Sequence, residues 1–145
     1  GDKQESFIKQ SWIYLKQAHF TKLSDEEAML ITGEKTLEAA AADLLANIPG
    51  VFTITLGKDG TLLGLDGKTY IIPSIQIKPT DTTGAGDAFV GAVLYQLDDA
   101  SLNPAELGFE DWNKIIQNAN KAGARTCEYM GAMEAFKHLN NSIFN

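Results

Sequence analysis

The segment with the most specific chemistry is a glycine-rich turn, residues 81–87, with the sequence Asp-Thr-Thr-Gly-Ala-Gly-Asp. It runs directly into the apolar stretch 88–97, which has the pattern of a helix. Gly84 and Gly86 carry no Cβ, so a ligand can approach their backbone closely. The first N–H groups of a helix have no partner within that helix and, together with the helix dipole, favour a bound anion. The turn is therefore a candidate phosphate-binding site.

Asp87, the last residue of this turn, has two interpretations. A carboxylate there would repel a resting phosphate, but it suits a group that takes the proton from a hydroxyl attacking that phosphate. Under this interpretation the segment transfers a phosphoryl group to an alcohol. Under the other, Asp87 is a plain carboxylate at a helix start, which helix electrostatics also favour. The spacing of the residues favours neither interpretation over the other.

Two other nucleotide-binding motifs fail at single residues. The dinucleotide fingerprint needs Gly or Ala three residues after its second Gly, where this chain has Phe89. A Walker-type loop ending in residues 67–69 needs Gly where the chain has Leu62. A dinucleotide-dependent oxidoreductase and a Walker-type nucleotide-binding protein are therefore disfavoured, and the Gly-Lys-Thr sequence at 67–69 is expected in a hairpin.

Helical and strand patterns alternate along the chain and predict an α/β domain with a largely parallel sheet. Ser24 and Glu27 have the spacing of a capping box, and Gly33 is a typical helix end. Asp66-Gly67 between two apolar runs indicates a hairpin. The predicted helices span residues 5–18, 24–32, 36–47, 88–97, 109–125 and 131–139, and the predicted strands span residues 20–23, 51–56, 61–65, 68–72 and 74–77.

The composition is that of one folded domain over residues 1–145, with 44% hydrophobic and 21% charged residues. A net charge of −7 without a basic stripe disfavours nucleic acid as a partner. No apolar run approaches the roughly 20 residues that span a bilayer, so no membrane association and a cytoplasmic location are expected. The single Cys127 cannot form a disulfide within the chain or a zinc cluster, and a buried thiol is expected.

The sequence D-T-T-G-A-G-D-A-F-V-G-A, residues 81–92, closely resembles the carboxy-terminal signature of the ribokinase-like (PfkB-type) carbohydrate kinases. Residues 22–27 are similar to a K-x-S-D-E-E stretch of fructokinases, and residues 55–60 to the T-x-G-x-x-G nucleotide loop of the family. Residues 120–124 resemble the helix start near the adenine pocket. The resemblance covers nearly the whole chain. It implies a three-layer α/β/α fold with a mainly parallel sheet and ATP-dependent phosphorylation of a small sugar, with fructose as the first candidate.

The resemblance also implies a role for each matching residue. Asp87 corresponds to the catalytic base, and the turn before it to an anion hole for the transferring phosphoryl group, formed by Gly84, Ala85 and Gly86. The residues that match the nucleotide-binding site are Thr55, Gly57, Gly60 and Asn120. The residues that match metal-binding positions are Glu27 for Mg²⁺, and Asp81 and Thr83 for a monovalent cation such as K⁺.

Ser24 departs from the pattern of many members, which have Asn at that position. Fructokinase-like members often have Ser, so the departure favours that subfamily and makes the magnesium role of Glu27 less direct. Other interpretations stay open for several residues: a capping-box carboxylate for Glu27, a turn carboxylate for Asp81, and a polar helix residue for Asn120. Lys58 is expected to be a solvated turn residue and not a phosphate ligand.

Family members are about twice as long as this chain, so we expect the nucleotide-binding and catalytic carboxy-terminal half of a longer kinase. The sugar-binding half and its β lid would be absent, and the chain alone should be weak or inactive. The expected partners are the sugar, ATP, the missing amino-terminal half and a second copy of the chain. Alternative activities are 2-keto-3-deoxygluconate kinase, ribokinase, nucleoside kinase and a non-catalytic nucleotide-binding module. Asp87 together with both glycines favours catalysis over the last of these.

Overall fold

Helices and strands alternate along residues 1–74 and 85–125, the parts of the chain that the computed structural model describes. The strands are β1 (Phe20–Ser24), β2 (Val51–Thr55), β3 (Thr61–Leu65) and β4 (Lys68–Ile72). The helices are α1 (Asp2–Gln17), α2 (Asp25–Thr32), α3 (Leu37–Asn47), α4 (Ala85–Asp99) and α5, which covers residues 109–125. Short 3₁₀ turns lie at Gly57–Asp59 and Pro104–Glu106. The predicted helix 131–139, most of the predicted strand 74–77 and Cys127 lie outside the described residues.

The strands form one sheet in the order β1-β2-β3-β4, which confirms the predicted α/β class. Strands β1 and β2 are parallel, whereas the β2–β3 and β3–β4 pairings are antiparallel. The described sheet is therefore mixed, because only the connection between β1 and β2, through α2 and α3, is long enough for a parallel crossover. The turns after β2 and β3 are short and reverse the chain.

The start of α2 has the capping box that the sequence predicts. Ser24 Oγ accepts a hydrogen bond from the Glu27 backbone N–H at 3.1 Å, and Glu27 Oε1 accepts one from the Ser24 backbone N–H at 3.1 Å. Gly33 ends the helix with a left-handed φ of 73°. These contacts satisfy N–H groups that the first turn of a helix leaves without a partner.

The β3–β4 hairpin also follows the sequence prediction. Asp66 and Gly67 have φ values of 51° and 77°, as a two-residue turn with left-handed backbone at both positions requires. Leu65 and Lys68 form the last pair of the ladder beside this turn. The turn fixes the register of the hairpin. The register in turn places Ile72, the last residue of β4, opposite Thr61, the first residue of β3.

Helices cover both faces of the sheet, which gives the three-layer arrangement that the resemblance implied. On one face, α1, α2 and α3 contribute a buried cluster with the strands: Leu15, Leu23, Ala28, Leu44, Phe52 and Ile54. On the other face, α4 and α5 contribute a second cluster: Val51, Leu63, Ile72, Phe89, Val93, Trp112 and Ile116. The Phe20 ring of β1 stacks on Trp112 of α5 at a centroid distance of 5.5 Å. Among the described helices, none is both long and apolar enough to cross a membrane.

Candidate active site

The four strands meet at one edge of the sheet in a single row of paired residues. Ser24 pairs with Thr55, Thr55 with Thr61, and Thr61 with Ile72. Strands β1, β2 and β4 end in this row and β3 begins in it. We call the row Ser24, Thr55, Thr61 and Ile72 the site edge. Open α/β sheets bind ligands beyond the carboxyl ends of their parallel strands, and here those are the ends of β1 and β2.

The loop between β2 and β3, which resembles a nucleotide loop, leaves the sheet at the site edge. Its backbone is closed by hydrogen bonds from Leu56 N–H to Gly60 O at 2.8 Å and from Gly60 N–H to Gly57 O at 3.2 Å. Gly57 and Gly60 both have positive φ, at 62° and 97°. A Cβ on Gly57 would meet open space, whereas one on Gly60 would collide with the Ile72 carbonyl oxygen and lie 2.8 Å from Pro73 Cα. Close packing therefore requires a glycine at position 60.

Thr55, the remaining predicted residue of this loop, is half-buried at the end of β2. Its hydroxyl donates to the Leu23 carbonyl oxygen at 3.4 Å and so links the two parallel strands at the site edge. A direct contact between Thr55 and a nucleotide stays a prediction.

Asn120 of α5 lies in the interior, 7% exposed. Its Oδ1 accepts a hydrogen bond from Thr61 Oγ1 at 2.7 Å. Its Nδ2 donates to the carbonyl oxygens of Ile72 at 3.3 Å and Pro73 at 3.4 Å. The side chain thus fastens α5 to the site edge and to the chain that leaves β4. The contact with the adenine or ribose that the resemblance implied stays a prediction.

The glycine-rich motif is partly described. Asp81, Thr83 and Gly84 lie outside the described residues, and α4 begins at Ala85. Asp87 lies in the first turn of α4 and is exposed. A carboxylate in this position can reach a ligand that also contacts the free N–H groups of the first turn. This geometry is compatible with both interpretations of Asp87.

Glu27, the predicted magnesium residue, is exposed at the start of α2. One oxygen, Oε1, accepts the Ser24 backbone N–H, which leaves Oε2 for another partner. Mg²⁺ keeps several waters and binds through one or two carboxylates plus substrate phosphates, so one carboxylate oxygen fits its needs. Within residues 1–74 and 85–125, no group of three His, Cys, Asp or Glu side chains could hold a metal ion by itself.

The structure adds two residues to this region that the sequence analysis did not select. Thr61 reaches the site through its bond with Asn120, and no sequence signal indicates that contact. Lys22 lies in β1 with its Nζ 3.0 Å from the position of a Cβ built on Gly86. Strand alternation puts Lys22 on the same face of the sheet as Phe20. The sequence signal that could have selected Lys22 is a lysine in the middle of a short strand.

A family model described as pfkB family carbohydrate kinase matches residues 3–139. The chain belongs to this family. The match includes the site edge, the β2–β3 loop and the glycine-rich motif. Kinases of this kind use ATP, which agrees with the nucleotide and phosphate sites expected at this edge.

Individual relatives agree with this assignment. The chain is 35% identical over 134 residues to probable fructokinase-2 of Arabidopsis thaliana, a match that covers 90% of this chain and 40% of the relative. Aminoimidazole riboside kinase from Salmonella enterica, solved with aminoimidazole riboside and an ATP analog, has a TM-score of 0.76 at 28% identity, covering 86% of this chain and 40% of that one. A fructokinase double mutant from Vibrio cholerae O395, solved with fructose, ADP and potassium ion, has a TM-score of 0.67 at 31% identity, covering 86% and 38%.

These likenesses confirm the predicted ribokinase-like fold. The chain spans 40% of the length of the Arabidopsis relative and of the Salmonella kinase.

The two glycines of the β2–β3 loop should respond differently to substitution. Gly57→Ala should lower the free energy of unfolding by about 1–2 kcal/mol, the cost of a left-handed backbone for alanine. Gly60→Ala should lower it by about 3–5 kcal/mol, because the added Cβ also overlaps the backbone of β4's end. Urea denaturation of both variants measures the difference. Equal losses would contradict the close packing of Gly60 against Ile72 and Pro73.

Asn120→Ala should destabilise the protein by about 2–4 kcal/mol, because it removes the partner of the buried Thr61 hydroxyl and the hydrogen bonds to the carbonyl groups of Ile72 and Pro73. Asn118, two residues earlier on α5, is a matched control: it is exposed and donates to Gln96 Oε1 at 2.8 Å. Asn118→Ala should cost less than about 0.5 kcal/mol. Urea denaturation compares the two variants, and similar losses would show that the buried contacts of Asn120 are not important for stability.

Proposed function

We propose that this chain is the carboxy-terminal, nucleotide-binding and catalytic part of a longer kinase that phosphorylates a hydroxyl of a small sugar with ATP. The observation that carries the proposal is Asp87, an exposed carboxylate in the first turn of α4 of a pfkB-family chain. The family membership favours its interpretation as the catalytic base over that of a plain helix-start carboxylate. By the same argument the non-catalytic module is disfavoured, because the base and both glycines of the motif are present.

In the proposed reaction, the sugar oxygen forms a bond to the γ-phosphorus of ATP as the bond to the leaving ADP oxygen breaks. Asp87 accepts the proton of the sugar hydroxyl. The glycine-rich turn, Gly84 to Gly86, and the N–H groups at the start of α4 donate hydrogen bonds to the phosphoryl oxygens as their charge grows. Because Asp87 belongs to α4, its backbone position relative to the N–H groups in the first turn of that helix is set before the substrate binds.

The proposed nucleotide contacts come from the site edge. Thr55, Gly57 and Gly60 belong to the loop that would pass beside the nucleotide, and Gly57 leaves open space at its Cα. Asn120 would lie near the adenine or ribose. Its hydrogen bonds to Ile72 and Pro73 would hold the end of β4 in place beside the nucleotide. Lys58, exposed within the same loop, is expected to stay in solvent.

Two cations are proposed for the same region. Glu27 would hold Mg²⁺ through the oxygen that the capping box leaves free, and the ion when bound neutralises charge on the phosphates. Asp81 and Thr83 would hold a monovalent cation. The Vibrio cholerae fructokinase solved with a potassium ion supports K⁺ as that cation.

Fructose is the proposed sugar, because fructokinases recur among the relatives, including one solved with fructose and ADP. Aminoimidazole riboside is a second candidate, since the kinase solved with that compound has the higher TM-score, 0.76 against 0.67. It belongs with the nucleoside-type substrates that the sequence left open.

The proposed partner of this chain is the amino-terminal part of the same kinase, which would carry most sugar contacts. The outer edge of β1 supports this, because no strand among the described residues pairs with it. A groove of about 360 Å³ follows that edge and is lined by α1, β1 and α2. Self-association of the chain and a cytoplasmic location stay predictions.

Asp87→Asn should lower kcat by about 10³-fold or more in the full-length kinase, because the amide cannot accept the hydroxyl proton. The assay follows ADP release with ATP and Mg²⁺ against fructose, aminoimidazole riboside, ribose and 2-keto-3-deoxygluconate. Asp66→Asn is the matched control, since Asp66 is exposed in the hairpin turn at the opposite edge of the sheet. It should leave kcat unchanged.

The outcomes separate the candidate functions. Turnover that prefers fructose and is lost with Asp87→Asn supports the full proposal, and a preference for aminoimidazole riboside keeps the mechanism but changes the substrate. An Asp87→Asn variant within threefold of its parent contradicts the role of the base. ATP binding without turnover of any sugar would favour the non-catalytic module.

A further inference from the structure

Lys22 is a charged residue on the face of the sheet that α4 and α5 cover. It is the central residue of β1, and it is half-buried between the buried residues Thr21 and Leu23. Leu23 belongs to the cluster under α1, α2 and α3, whereas Phe20 packs in the cluster under α4 and α5. Side chains alternate along a strand, so Lys22 lies on the Phe20 side, toward α4.

The end of the Lys22 side chain lies against the first turn of α4. A Cβ built on Gly86 would be 3.0 Å from Lys22 Nζ and 3.7 Å from Lys22 Cε. Gly86 lies in helical backbone and does not have the left-handed φ that demands glycine. A glycine at position 86 is therefore explained by the space that a Cβ would occupy. Without that Cβ, the Lys22 ammonium can approach the start of the helix closely.

This arrangement brings an ammonium group to the amino end of a helix whose first turn carries an exposed carboxylate, Asp87. Lysine side chains stabilise the carboxyl ends of helices, whereas the amino end carries positive partial charge on its free N–H groups. In the described residues, Lys22 Nζ has no hydrogen-bond or ion-pair partner, and it forms no ion pair with the neighbouring Asp87. Two sources of positive charge thus face one small region, and a phosphate-type anion placed there would satisfy both.

We propose that Lys22 is a catalytic residue that binds an oxygen of the phosphoryl group while it passes from ATP to the sugar. The proposal rests on the proposed kinase activity and adds a residue to that site. The lysine stays protonated throughout: the hydroxyl proton goes to Asp87, and the bond between the γ-phosphorus and the ADP oxygen breaks as the new bond forms. The attraction between the ammonium and the phosphoryl oxygens becomes stronger as negative charge accumulates on those oxygens.

The test removes the charge of Lys22 and keeps its packing. Lys22→Met in the full-length kinase should lower kcat about 10²–10³-fold and change the KM for the sugar by less than about threefold, because the contact strengthens in the transition state. Lys22→Arg keeps a positive charge and should retain at least about tenfold more activity than Lys22→Met. Lys68→Met removes an exposed lysine beside the distant hairpin turn and should leave kcat unchanged.

A double-mutant cycle separates this role from a purely structural one. Gly86→Ala should displace the ammonium and lower kcat, and it should cost much less when Lys22 is already Met, because both changes act on one contact. Additive losses would overturn the proposal, as would a Lys22→Met variant within threefold of an active parent. An inactive parent would instead overturn the kinase proposal itself, and this proposal with it. Urea denaturation should show unchanged stability for Lys22→Met.

Discussion

The site edge depends on the hydrogen bonds to the carbonyl groups of Ile72 and Pro73, where the chain leaves β4. Ile72 is buried and Pro73 is exposed, and the single amide of the buried Asn120 donates to both carbonyl oxygens. Gly60 packs on the same stretch of backbone so closely that no side chain fits between them. The β2–β3 loop, the end of β4 and helix α5 therefore form one packed unit.

This packing explains how two features that are separated in sequence, the carboxylate proposed as the base and the loop proposed to bind the nucleotide, come to share one end of the sheet. The hairpin turn at Asp66-Gly67 sets where β4 ends, and the pairing of Thr61 with Ile72 puts that end beside the start of β3. Helix α4 then returns across the sheet, with Phe89 and Val93 buried against it. Its first turn, which carries Asp87, lies beside Lys22 of β1. This region combines the free N–H groups of a helix start with the Lys22 ammonium, and the proposed phosphoryl site rests on that combination.

The sequence predicts the features whose signals are local. The Ser24–Glu27 capping box, the Gly33 helix end and the Asp66-Gly67 turn follow from neighbouring residues, and the glycine-rich motif identifies the family. The mixed pairing of the described strands and the contacts of Thr61, Asn120 and Lys22 depend on partners that are distant along the chain. Asn120, for example, bonds to Thr61 across 59 residues, and no composition or spacing rule indicates such a pair. Gly60 shows the same limit, because its positive φ suits a turn but its contact with Pro73 is visible only in the fold.

Hydrogen exchange of the full-length kinase with and without Mg²⁺ and ADP tests most directly whether the nucleotide binds at the site edge. Bound nucleotide should slow exchange at the amides of residues 56–60 and in the first turn of α4, because these groups would be covered or hydrogen-bonded. The hairpin turn at Asp66-Gly67 should exchange at the same rate in both samples, since it lies at the opposite edge. Protection of the hairpin turn, or no protection of the 56–60 loop, would contradict the placement of the active site.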